Sequence, residues 1–160
     1  MNYELFDEQE MLALIKQDMI NKDYSHALEK LKTILKAEQI PVEAFSLAGK
    51  LYATLEMFER AKFYFSEFVK FVPEATVEWF QLGMVEKDIG NIDGAIEIWN
   101  KLSTSRSDNT EVLYYLADAY IIKLMFNEAR DCLLNILENA PDDSPFISMA
   151  DKLLNRIKAH

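Results

Sequence analysis

Residues 42–75 read VEAFSLAGKLYATLEMFERAKFYFSEFVKFVPEA. Phe45, Ala48, Gly49 and Tyr52 fall at i, i+3, i+4 and i+7, which places them on one face of a helix. Leu55-Glu56-Met57 interrupts the pattern, and Phe58, Ala61, Phe65 and Phe68 resume it until Pro73, a residue that a helix interior does not tolerate. The stretch is therefore two amphipathic helices joined by a short turn, and so short a connection makes them antiparallel neighbours.

The same grammar recurs on both sides of this stretch. Ala27, Ala61, Ala95 and Ala129 stand 34 residues apart. The third copy has Trp79, Leu82 and Gly83, the turn Ile89-Gly90-Asn91, then Ile92, Ala95, Trp99 and Leu102. The fourth has Leu113, Leu116, Ala117 and Tyr120, then Phe126, Ala129, Leu133 and Ile136, and closes at Pro141. The first copy is degenerate: Met11, Leu14, Ile15 and Asp18 fill its first helix, Ala27, Leu28, Leu31 and Ile34 its second, and Gln39 its closing position. A fixed period of this kind marks supersecondary units that bury their apolar faces only by stacking. The repeats run about 8–41, 42–75, 76–109 and 110–143, and together with a last helix at about 144–158 they read as a single domain over 1–160. In that last helix Ile147, Ala150 and Leu154 repeat the slots of Leu113, Leu116 and Tyr120, with Asp142, Asp143 and Ser144 as its amino-terminal cap.

Composition narrows the class further. Of 160 residues 50% are hydrophobic and 28% charged, as in an ordinary folded domain, while four Gly and four Pro are too few to punctuate many strands. The expected fold class is all-α. With 27 acidic against 17 basic side chains the net charge is −10, which repels a phosphate backbone and an anionic membrane surface, so neither nucleic acid nor membrane is expected as a partner. The amino terminus, Met1-Asn2-Tyr3-Glu4-Leu5-Phe6-Asp7-Glu8, is acidic where a signal peptide is basic and then apolar, and the lone Cys132 suits a reducing compartment. Both point to a cytoplasmic protein.

A bulky residue, a Leu-Gly pair three on, a Tyr three further, then an Ala with an aromatic four on and a closing Pro resembles the tetratricopeptide repeat. Residues 42–75 match it best; in the third copy Glu86 and Ser107 stand where Tyr and Pro are usual. The resemblance implies a right-handed superhelical stack of antiparallel helix pairs, an α-solenoid with a terminal capping helix. It also implies that small residues at Gly49, Gly83 and Ala117 admit close helix approach while Tyr52, Phe65 and Trp79 fill the space beside them. On that basis Ala61→Leu costs about 1–3 kcal/mol and Trp79→Ala about 3–5 kcal/mol.

The resemblance further implies a concave groove lined by the first helix of each pair. In this sequence the groove positions are Gln9, Leu12, Lys16 and Met19; Glu43, Leu47 and Lys50; Val77, Phe80, Gln81, Met84 and Lys87; and Glu111, Tyr114, Tyr115 and Asp118. Aromatic and methionine side chains there suit capture of a peptide or an amphipathic helix. Leu12, Leu47 and Met84 are equally placed to finish the core between helices. Relatives that clamp acidic carboxyl-terminal tails do so with Lys, Asn and Arg; the corresponding slots here read Leu12, Lys16, Leu47, Val77 and Gln81, or one repeat later Ser46, Lys50, Gln81, Glu111 and Tyr115, and neither set makes a carboxylate clamp.

No converging acid, base and nucleophile are legible. His26 and His160 lack a partner in the pattern, Cys132 lacks a nearby histidine, and the pairs Asp7-Glu8 and Asp142-Asp143 read as helix caps rather than metal sites. The expectation is a non-enzyme with no cofactor and no metal, which holds a protein or peptide partner as a scaffold or adaptor. Two alternatives stand beside it. One is a bacterial type III secretion chaperone, which the chain resembles in size, acidity and repeat type; the other is a structural homo-oligomer, for instance a homodimer, built through the degenerate first repeat or through Phe63, which lies off the apolar stripe of its helix.

Overall fold

Each hairpin of the sequence folds as a pair of helices whose turn is built the same way. In the computed structural model, residues 6–105 and 109–158 are described; the expectations placed on Tyr3, Leu5, Ser107 and His160 lie outside them. Among the described residues there are nine helices and no strand: α1 Glu8–Ile20, α2 Tyr24–Ile34, α3 Val42–Thr54, α4 Phe58–Phe71, α5 Thr76–Ile89, α6 Ile92–Ser105, α7 Thr110–Ile122, α8 Phe126–Asn139 and α9 Pro145–Ile157. None is long and apolar enough to cross a membrane.

The turn between the two helices of a pair carries one residue in the left-handed region: Lys22 at φ 60°, Glu56 at 56°, Gly90 at 96° and Leu124 at 60°. Behind each, the next N–H reaches back over the helix end, from Asp23 to the Asp18 carbonyl and from Met57 to Tyr52 at 2.8 Å, from Asn91 to Glu86 at 2.8 Å and from Met125 to Tyr120 at 2.9 Å. This is the closure by which helices satisfy their last carbonyls. The starts of α1, α2 and α9 are closed by side-chain caps, whereas α3, α4, α7 and α8 have none. The Glu10 N–H donates to Asp7 Oδ1 at 2.8 Å while the Asp7 N–H donates to Glu10 Oε2 at 3.0 Å, and the Phe146 N–H donates to Ser144 Oγ at 3.4 Å. Asp142 and Asp143 are exposed and make no cap hydrogen bond to α9; Ser144 does.

The chain forms two compact units, Met1–Glu78 and Trp79–His160. In the first, α1 packs on α2 and α3, and α3 on α4. Its core centres on Ile15, Ala27, Leu31, Leu51, Ala61 and Phe65, all fully buried. A Cβ at Gly49 would stand 2.5 Å from Phe65 Cδ1, so only glycine lets the ring lie against α3. Lys30 is buried and its Nζ lies 2.5 Å from Asp18 Oδ2, whereas the same two slots of the next pair hold Tyr52 and Tyr64, stacked at 5.5 Å.

In the second unit α6 packs on α7, α7 on α8, and α9 on both α7 and α8. Trp99 packs on α5, its Nε1 donating to the Phe80 carbonyl at 3.3 Å, and a Cβ at Gly83 would stand 2.3 Å from that nitrogen. Ala117 and Leu133 fill the equivalent slots of the next pair, so the residue on α7 is larger than glycine and the one on α8 smaller than tryptophan. The tryptophan that fills the core is therefore Trp99, which is fully buried; Trp79, expected to fill it, is only half-buried. Glu86, standing where a tyrosine is usual, is buried and accepts from Asn91 Nδ2 at 2.8 Å. Leu153, Leu154 and Ile157 of α9 close the core after Leu133 and Ile136, while Asp151, Lys152, Asn155 and Arg156 face outward.

Candidate partner-binding face

Within each unit the first helix of one pair presents its outward residues beside those of the next, α1 beside α3 and α5 beside α7. In the first unit this face is sealed by charge. Lys16 Nζ of α1 lies 2.5 Å from Glu43 Oε1 of α3. Further along, Lys50 Nζ lies 3.3 Å from Glu78 Oε1, which also accepts from the buried Ser46 Oγ at 2.8 Å. Beneath these pairs Leu12 and Leu47 are 1% and 6% exposed.

The second unit presents rings. Phe80 of α5 meets Tyr115 of α7 edge to face at 5.6 Å, and Trp99 lies behind both at 6.1 Å. Tyr115 in turn meets Tyr114 at 5.6 Å, and Tyr114 meets Phe146 of α9 at 5.5 Å. Phe80, Tyr114, Tyr115 and Phe146 are all half-buried. Met84 packs against the Trp99 cluster. Beside the row Lys87 makes a short ion pair with Asp118 Oδ2, and its Nζ stands 5.9 Å over the Tyr115 ring.

Residues 111–143, which span α7, α8 and the segment leading to α9, match the family model described as tetratricopeptide repeat. The chain has the tetratricopeptide-repeat fold. Solved structures agree over nearly its whole length. YrrB, described as a tetratricopeptide-repeat protein with an unusual peptide-binding site, is 20% identical, superposes at TM-score 0.80 and is covered over 73% of its chain by 89% of this one. MamA from Desulfovibrio magneticus RS-1 is 17% identical at TM-score 0.80, covering 93% of this chain and 82% of its own. TTC0263, a thermophilic tetratricopeptide-repeat protein of Thermus thermophilus, is 18% identical at TM-score 0.73, covering 95% and 84%. No protein of curated function matches the chain by sequence.

Within this tetratricopeptide-repeat fold the expected face residues divide. Leu12 and Leu47 lie in the core and offer a partner no surface, because the tight approach of α1 and α3 draws them inward. Lys16, Lys50, Lys87 and Asp118 are on the face and already ion-paired. Phe80, Gln81, Met84, Tyr114 and Tyr115 are half-buried, and Val77 is exposed. Phe146 was not anticipated: it lies 32 residues after Tyr114, off the 34-residue register, and only the bend into α9 brings it to the row.

Groups with reactive potential lie elsewhere. His26, expected to lack a partner, lies with Nδ1 2.6 Å from Asp23 Oδ2, and that contact, together with the His26 backbone N–H, holds the Asp23 carboxyl below its usual range. Burial beside Asp131 pushes the Cys132 thiol up to about 11, so it stays protonated and unreactive at neutral pH. Among the described residues no three His, Cys, Asp or Glu side chains gather in a way that could hold a metal ion. Phe63 is 56% exposed, with its ring 5.1 Å from Tyr64.

Proposed function

We propose that this chain is a non-catalytic protein–protein interaction scaffold, and that its second unit holds an apolar peptide or helix of a partner across Phe80, Met84, Tyr114 and Tyr115. The observation that carries the reading is the row of four half-buried rings running from Phe80 to Phe146. Rings fixed by one another lose little entropy on binding and bury much area, which makes them suitable anchors. The charges around them favour the same kind of occupant. Lys16, Lys50 and Lys87 are each satisfied within the chain, so an acidic segment finds no unpaired lysine among these three, and selection falls to apolar contact. YrrB, similar in fold, is described as having a peptide-binding site, a precedent for the same use of this architecture.

In this reading the four repeats, about 8–41, 42–75, 76–109 and 110–143, and the capping helix act as a single array over 1–160, in the cytoplasm, a placement the single cysteine supports. A secretion-type chaperone is its narrower form and rests on size, acidity and repeat type alone. The test is a pull-down from the source cell with wild type and Phe80→Ala/Tyr115→Ala, both checked for native helicity. An affinity near 1 μM corresponds to about −8 kcal/mol, and loss of two anchors at about 2 kcal/mol each removes the complex from detection. Capture is expected to survive about 0.5 M salt, since screening does not touch apolar contact. Recovery of the same partners by the double variant overturns the reading.

A further inference from the structure

The four helix-pair turns share one backbone geometry, so they serve as controls for one another. The left-handed position is held by Lys22, Glu56 and Gly90 in three of them, residues that are solvated or have no side chain to strain. In the fourth it is held by Leu124, which is 73% exposed, with Ile122 and Met125 exposed beside it. A bulky apolar side chain in that conformation, with nothing in the second unit covering it, does not serve the turn. Next to it runs a groove of about 480 Å³ lined by Ile121, Leu124, Phe126, Leu153, Arg156 and Ile157. Its apolar wall ends at Arg156, on a helix that also carries Lys152 and, at its cap, Lys158, with Asp151 as its one acid, in a chain of net charge −10. Arg156 has no ion-pair partner among the described residues.

The segment of this chain with the complementary chemistry is its own amino terminus. Tyr3, Leu5 and Phe6 are interleaved with Glu4, Asp7 and Glu8, and Phe6 is exposed ahead of α1. We propose that the groove between the α7–α8 turn and α9 receives the amino-terminal segment of a second copy of this chain, Leu5 and Phe6 covering Leu124 and the acidic side chains meeting Arg156 and its basic neighbours. Such a contact joins two different surfaces and is heterologous, so it builds rings or open chains rather than a two-fold dimer. It leaves the row of rings from Phe80 to Phe146 free and does not depend on that row binding anything.

The head-to-tail geometry has a decisive test in sedimentation or light scattering of the full chain. Wild type is expected to grow in mass with concentration from one chain of 18.6 kDa. Leu124→Lys, which copies the residue of the first turn and so keeps the fold, and Leu5→Ser/Phe6→Ser are each expected to remain single chains. Mixed in equal amounts, they should form a dimer that grows no further, because one supplies the only intact segment and the other the only intact groove. Arg156→Glu should weaken wild-type association at least about tenfold, and Glu4→Lys/Glu8→Lys should restore it. A wild type that stays single at all concentrations overturns the proposal. So does association that persists in Leu124→Lys. If each variant is single and the mixture stays single as well, the contact is a symmetric one between like surfaces, and the amino-terminal segment is not its occupant.

Discussion

Gly90 sits at φ 96° with nothing within 4 Å of where a Cβ would stand, so Gly90→Ala isolates the backbone cost of that conformation. The expected loss is about 1 kcal/mol, read as a lower urea midpoint at unchanged slope. Glu56 is the converse, a side-chain-bearing residue at φ 56°, and Glu56→Gly is expected to gain up to about 1 kcal/mol in the same titration. If the two changes shift the midpoint in the same direction, the left-handed turn is not the source of the effect. These turns also mark a limit of sequence reading. Only Gly90 signals its conformation by residue type, because Lys22, Glu56 and Leu124 are held there by the back-reaching hydrogen bonds and not by preference.

Between elements, fit is set pair by pair. Gly49 faces Phe65 and Gly83 faces Trp99, while Ala117 and Leu133 occupy the same slots one pair later. Gly83→Ala drives a methyl into the indole and is expected to cost about 1–3 kcal/mol. Trp99→Leu alone empties a fully buried site and is expected to cost a similar amount or more. Together they reproduce the combination of the fourth pair, so the double variant should be more stable than the sum of the single losses predicts, by at least about 1 kcal/mol in a double-mutant cycle. Strict additivity would show that the two residues do not constrain each other. The helices, their turns at Leu55-Glu56-Met57 and Ile89-Gly90-Asn91, and the alanine ladder were legible from spacing, since each is a local consequence of period and breaker residues. The assignment of Trp79 to the core was not, because spacing places a residue on a face without saying how deep the neighbouring helix presses. The same gap separates Leu47, which sinks beneath the Lys50–Glu78 pair, from Phe80, which stays half open.

For the molecule as a whole, stability should fall off on both sides of neutrality for separable reasons. The Cys132 thiol ionises near 9 when unfolded and about 11 when native, so the unfolded chain sheds its proton first and stability declines as pH rises from about 9 to about 11. Tyr64, raised by burial, adds to the decline from about 10 upward. Asp23 is held low by His26, so its contribution is present above about 4 and is lost as pH falls further. Thermal melting against pH should show a shallower alkaline decline in Cys132→Ala, and an unchanged slope there would sink the assignment. A last consequence lies in time rather than in energy. The side-chain bonds that join one helix pair to the next, Ser46 to Glu78 and Lys87 to Asp118, link residues 32 and 31 apart, and each turn within a pair closes between residues five apart. With so little loop entropy to overcome before a contact forms, either unit can begin folding while the rest of the chain is still unstructured, for instance while it is being synthesised. The repeat that makes the architecture legible also makes its assembly fast.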